Sequence, residues 1–232
     1  MRKKNILVLI GFVLICTFVN YFYFQNNNSK ALVSKNIIAL EENNEDKKIV
    51  QNLKEEFTND EIVGYLRIPN TDFKVPITQT IDNSKYLYTD AYGKSDIKGN
   101  PFLDYRVDIN NSKKLLIFGH NSVRYDAPFK YLENYYDKDF YEGHKYIELV
   151  TDSNIFRYKI FSVYVETGDW SYMKLDNDFK SELNMYKSRS LYDTGVKVFD
   201  TNDILILQTC STNDEYSKYS KKYLLIISRR VE

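Results

Sequence analysis

Hydrophobic residues fall along this chain in three patterns. The first is an apolar run of 19 residues, Ile6 to Phe24, interrupted mainly by Thr17 and Asn20, with Arg2, Lys3 and Lys4 ahead of it and no charge until Lys30. At 1.5 Å per residue such a run crosses a hydrocarbon core of ~30 Å. No small-x-small cleavage site follows it, and Ile15 stands before Cys16 where a lipidation signal wants a small residue, so the expectation is an uncleaved anchor. Positive residues before the span and none just after it put the N-terminus in the cytoplasm and the rest outside the membrane. The divisions expected are a stub at 1–5, a transmembrane anchor at 6–24, a linker at 25–45 and an extracellular domain at 46–232.

The second pattern has helical spacing. Ile49, Val50, Leu53 and Phe57 recur amid charges between Asp46 and Phe57, which predicts an amphipathic helix packed on the domain or lying near the membrane. Phe129 to Tyr136 and Asp178 to Arg189 also read as helices. The third pattern is a set of short β-like runs: Ile62–Ile68, Phe73–Thr78, Lys114–Phe118, Tyr146–Val150, Phe156–Val165, Ile204–Thr209 and Tyr223–Ile227. Pro69-Asn70, Asp82-Asn83, Lys98-Gly99-Asn100 and Asp108 to Asn111 punctuate them. Many short strands with few helices predict a mainly β fold, a closed or nearly closed barrel with helical insertions.

Composition narrows the function. Lys and Arg number 32 against 32 Asp and Glu, so no bulk charge is available to hold nucleic acid. Setting the anchor and its stub aside leaves 29 against 32, a mildly acidic exported part. Cys and His number two each, too few for a disulfide framework or a zinc site unless all four converge. No acidic spacing matches a calcium loop. Neither a cofactor nor a metal is expected.

Candidate chemistry then falls to few residues. Cys210 ends the apolar run Ile204 to Thr209 and is followed at once by the polar stretch Ser211 to Lys222; a thiol there meets solvent, although cysteine is also often a small buried hydrophobe. His120 holds a matching place after Leu115 to Phe118 and Gly119, whose missing Cβ allows a sharp exit or a close approach. A satisfied surface histidine would look the same. His144 lies among charged residues in a turn. With Cys16 in the anchor, thiol chemistry would pair Cys210 with His120, because a cysteine nucleophile needs a proton carrier working near neutral pH.

These residues sit in motifs. Ile206-Leu207-Gln208-Thr209-Cys210 is similar to the TLxTC signature of sortases, the membrane-anchored cysteine transpeptidases of Gram-positive bacteria, and Phe118-Gly119-His120-Asn121 resembles their YGHN strand end. Gly64-Tyr65-Leu66 with Ile68 to Thr71, Val75-Pro76-Ile77, Asp82-Asn83, Tyr86-Leu87, and Gly99 with Phe102 to Arg106 resemble, in order, blocks of class B sortases. The resemblance covers nearly all of the exported part. It implies a sortase β-barrel with a class B N-terminal helix and inserted helices. The activity it implies is transpeptidation, in surface-protein anchoring to the cell wall or in pilus assembly. Cys210 would attack the Thr–Gly carbonyl of an LPxTG-like signal, His120 would act as general acid and base, and an amine from a peptidoglycan cross-bridge or a pilin lysine would resolve the thioester. Asn83, Thr209, Tyr172 and Met173 match substrate-binding positions.

One position departs from the family, whose strand after the cysteine opens with an arginine that can stabilise the oxyanion. Aligned without a gap, Tyr223 takes that slot, Lys222 is one residue away, and Arg229 lies six further on, ~20 Å at about 3.3 Å per residue. Tyr223 or Lys222 is the expected replacement. A catalytically impaired sortase-fold binding or assembly protein is the alternative, and a thiol hydrolase a third reading.

Overall fold

A computed structural model describes residues 48–176 and 178–231. The apolar run 6–24 with Cys16, and the linker 25–45, lie outside the described residues; among those described, no helix is long and apolar enough to cross a membrane. The eight strands are β1 (Ile62–Arg67), β2 (Lys74–Thr78), β3 (Phe102–Leu103), β4 (Lys114–Phe118), β5 (Tyr146–Val150), β6 (Ile155–Glu166), β7 (Ile204–Cys210) and β8 (Tyr223–Arg230). They close in the order β1-β2-β3-β4-β7-β8-β6-β5. This is the expected mainly β, closed barrel with helices. β3 has only two residues, too short to show as a run of alternating positions.

Strand periodicity sorts the side chains into two packed layers. Leu115, Ile117, Leu205, Leu207, Leu224 and Ile226 join a buried cluster that draws on all eight strands, which makes it the barrel interior. Their neighbours Leu116, Phe118, Ile204, Ile206, Leu225 and Ile227 point the other way and pack beneath Tyr172, Leu183 and Tyr186. β4 and β7 are covered on both faces, as their unbroken apolar sequence requires of parallel neighbours.

Helices cover the barrel. Residues 48–57 form α1, whose Val50 packs with Ile62, Tyr65 and Val150 while Leu53 and Phe57 lie at the margin; Lys54 Nζ adds an ion pair to Asp152 at 2.8 Å. The segment Pro128–Tyr136 is a 3-10 helix rather than an α-helix. Its buried residues Phe129, Leu132 and Tyr135 are spaced by three, the spacing at which 3-10 side chains align on one face. α2 (Lys138–Gly143) follows, capped by Asp137, which accepts from the Asp139 N–H at 2.8 Å. Its six residues are too few to announce themselves in the sequence.

α3 (Phe179–Arg189) lies over the outer layer and is fixed by a buried ion pair. Lys114 Nζ on β4 meets Glu182, which also accepts from the Tyr186 hydroxyl, and the same ammonium donates to the Lys174 carbonyl at 2.8 Å. Burial lowers the Lys114 pKa and the Glu182 carboxylate only partly offsets this. Replacing one partner strands the other charge. Glu182→Leu is expected to destabilise the domain by about 3–5 kcal/mol, whereas Lys114→Met with Glu182→Leu should recover most of the loss; urea unfolding of the three proteins measures both.

Candidate active site

β4 and β7 run parallel with Phe118 opposite Gln208. Two residues beyond this pair come Cys210, which ends β7 on its outer face by strand parity, and His120, which follows β4 past Gly119 at the same rim. The Gly119 N–H donates to the Gln208 carbonyl at 3.1 Å and carries the register past the end of β4. Gly119 is required by space: a Cβ there would lie 2.5 Å from the ring of Phe129, which is fully buried. The turn before His120 therefore rests directly on the 3-10 helix.

The imidazole is oriented by main chain. His120 Nε2 lies 2.8 Å from the Leu87 carbonyl, and the exposed ring of Tyr88 stands at 6.1 Å from the imidazole. Cys210 is a free, solvent-exposed cysteine. Enough of the barrel surrounds its thiol that partial burial pushes the pKa above the ordinary thiol value.

Cross-strand geometry separates the two candidates for the arginine slot. Cys210 pairs with Tyr223 across β7 and β8. The next rung is hydrogen-bonded, Ser211 N–H to the Lys222 carbonyl at 2.9 Å, so by alternation the Cys210–Tyr223 rung is of the unbonded kind, in which side chains are closest. Burial raises the Tyr223 pKa and a charge on Cys210 raises it further. Lys222 has the opposite parity, and its Nζ points to the Asn213 carbonyl at 3.4 Å. Arg229 pairs with Ile204, at the far end of both strands from Cys210.

The remaining candidates lie around this pair. Tyr172 is fully buried under the outer face and donates to Gln208 Oε1 at 2.7 Å; burial raises its pKa. Met173 is half-buried, and its carbonyl accepts from Arg106 Nη2 at 2.9 Å. Arg106 is itself held by the fully buried Asp104 through Nε at 2.9 Å and Nη2 at 2.6 Å. Burial alone would raise the Asp104 pKa, but the guanidinium outweighs it and the net shift is down. Asn83 accepts from the Tyr105 N–H at 3.0 Å, so it steadies this Asp104–Arg106 segment. The Thr209 hydroxyl donates to the Gly119 carbonyl at 2.8 Å, and the side chain is only 1% exposed; that hydroxyl is engaged inside the barrel.

Several participants carry no sequence signal. The Leu87 carbonyl is main chain. Trp170, 38% exposed, sets its ring 4.9 Å from that of Tyr223. The segment after Cys210 is tied down by the Tyr136 and Ser211 hydroxyls at 2.6 Å and by Glu133, which accepts from the Thr212 N–H at 2.7 Å; burial pushes the Tyr136 phenol up to about 12. Among the described residues no cluster of three or more metal-ligating side chains occurs.

Comparison with known proteins agrees with the motifs. A model of the Sortase domain matches residues 66–229. Sortase B of Listeria monocytogenes is 31% identical over 198 residues, 83% of this chain and 79% of that protein. Sortase B of Staphylococcus aureus is 30% identical over 173 residues, 72% of this chain and 70% of that one. The solved Staphylococcus aureus sortase B–substrate complex superposes with a TM-score of 0.69 at 27% identity, covering 79% of this chain and 84% of that one.

The raised thiol pKa has a kinetic signature. Alkylation of Cys210 by iodoacetamide should be slower at pH 7 than that of a cysteine peptide and should rise with a midpoint above the ~8.5 of an unperturbed thiol. A midpoint below that value, measured by mass spectrometry across pH, would show a cation stabilising the thiolate.

Proposed function

The chain belongs to the sortase family, in its class B, and on that premise we propose that it is a cysteine transpeptidase cleaving an LPxTG-like sorting signal between Thr and Gly. His120 takes the Cys210 thiol proton, the thiolate attacks the threonine carbonyl carbon, a C–S bond forms, the C–N bond to glycine breaks, and His120 passes that proton to the departing amine. An amine from a peptidoglycan cross-bridge or a pilin lysine then attacks the thioester and loses a proton to His120 as the thiolate leaves. The observation that carries this reading is the placement of His120 and Cys210 at one rim of the barrel, each two residues past the Phe118–Gln208 pair of parallel strands.

Tyr223 fills the arginine's role in this scheme, because it stands directly across from Cys210 while Lys222 is turned to the Asn213 carbonyl. A phenol offers the oxyanion one neutral hydrogen bond where a guanidinium offers a charged fork. Trp170 and Met173 form the wall of the peptide groove, with Tyr172 beneath them, and Asn83 and Thr209 support it through the main chain. Residues 6–24 anchor the protein in the cell membrane with residues 1–5 in the cytoplasm and the catalytic domain outside.

The absence of a guanidinium opposite Cys210 favours a second reading, a binding or assembly protein without turnover. Incubating the full-length chain with LPxTG-like peptides, with and without an added amine, separates them. The expected result is a covalent adduct on Cys210, absent in Cys210→Ala, with the amine incorporated into product; release of free acid alone would mark a hydrolase, and no adduct would support the binding protein. His120→Ala should lower acyl transfer by about 10²-fold or more, and Tyr223→Phe by about 10²-fold, whereas Lys222→Ala should leave it nearly unchanged.

A further inference from the structure

Asn121 follows His120 and donates from Nδ2 to the Cys210 carbonyl at 2.9 Å. Its side chain is only 6% exposed, and its other end, Oδ1, is buried with no hydrogen-bond partner among the described residues. The orientation of the carboxamide is fixed, because a carbonyl can accept only from the NH₂ end. The large majority of buried side-chain polar atoms have a hydrogen-bond partner, and an orphaned acceptor costs stability. Such costs persist where a geometry is needed for function. The neighbouring lace, Thr209 Oγ1 to the Gly119 carbonyl at 2.8 Å, crosses between the same two strands in the opposite direction.

We propose that Asn121 is a positioning residue: it holds the main chain of Cys210 against the His120 turn, so that thiol and imidazole keep one mutual placement through both half-reactions. The proposal rests on the cysteine–histidine reading above. Asn121 acts through Cys210 and does not touch the peptide.

Two variants of the full-length chain test it. Asn121→Leu removes the donor at similar volume, and Asn121→Asp keeps the shape but turns an acceptor towards the Cys210 carbonyl. In the leucine variant the denaturant midpoint should equal or exceed wild type, since the orphaned acceptor goes with the amide. Single-turnover acylation should fall about tenfold to a hundredfold with the peptide KM unchanged. The midpoint of Cys210 alkylation should move down towards that of an ordinary thiol as the strand end loosens and water reaches it. The aspartate variant should lose acylation similarly, and it decides the matter if the leucine variant does not fold. Acylation within about twofold of wild type in both, or losses that simply follow a drop in unfolding midpoint, would overturn the proposal. Should the wild type form no thioester with any sorting-signal peptide, the reading of the reaction fails; an alkylation midpoint unmoved in both variants would then overturn the positioning role by itself.

Discussion

Parallel neighbours in a sheet deliver the C-terminal ends of two strands to the same rim, which antiparallel neighbours cannot do. The β4–β7 pairing does this for His120 and Cys210, residues 90 positions apart in the sequence. Their shared rim follows from a register in which Leu116 meets Ile206 and Phe118 meets Gln208. A one-residue slip would turn Cys210 towards the barrel interior. The flanking apolar layers, one inside the barrel and one under α3, resist that slip along the whole length of both strands.

The outer layer does more than bury area. Three polar contacts of different kinds converge on the loop that follows β6: Tyr172 to Gln208, Arg106 to the Met173 carbonyl, and Lys114 to the Lys174 carbonyl. Each anchor is buried or paired, Arg106 by Asp104 and Lys114 by Glu182. Charges held in this way contribute little net stability, but they fix the direction of a loop that carries aromatic side chains to the rim beside Cys210. The loop is thus set by the barrel wall.

Much of this was legible in the sequence because its signals are local. Unbroken apolar runs ending in a glycine-histidine and in a threonine-cysteine mark two buried strands with chemistry at their ends, and the ordered class B motifs supply the rest of the barrel. What stayed hidden depends on partners distant in sequence or on main-chain atoms. The Leu87 carbonyl beside His120 has no residue type to betray it, and β3 is too short to alternate. Phe129 to Tyr136 has apolar residues that suit either kind of helix, and only the spacing of three among the buried ones identifies the tighter turn. Adjacent strand residues such as Lys222 and Tyr223 face opposite ways, but the unbroken apolar run after them does not say which faces the cysteine; the Cys210–Tyr223 pair supplies that.

The partial burial of the Cys210 thiol also bears on its survival. Peroxides and disulfide-forming oxidants attack the thiolate, so a thiol whose pKa burial pushes up offers less of the reactive form. A lone cysteine with no second thiol in the domain has no resolving partner to rescue it once oxidised. The raised pKa of Cys210 therefore works against oxidation of an exposed nucleophile that has no second thiol in its own domain.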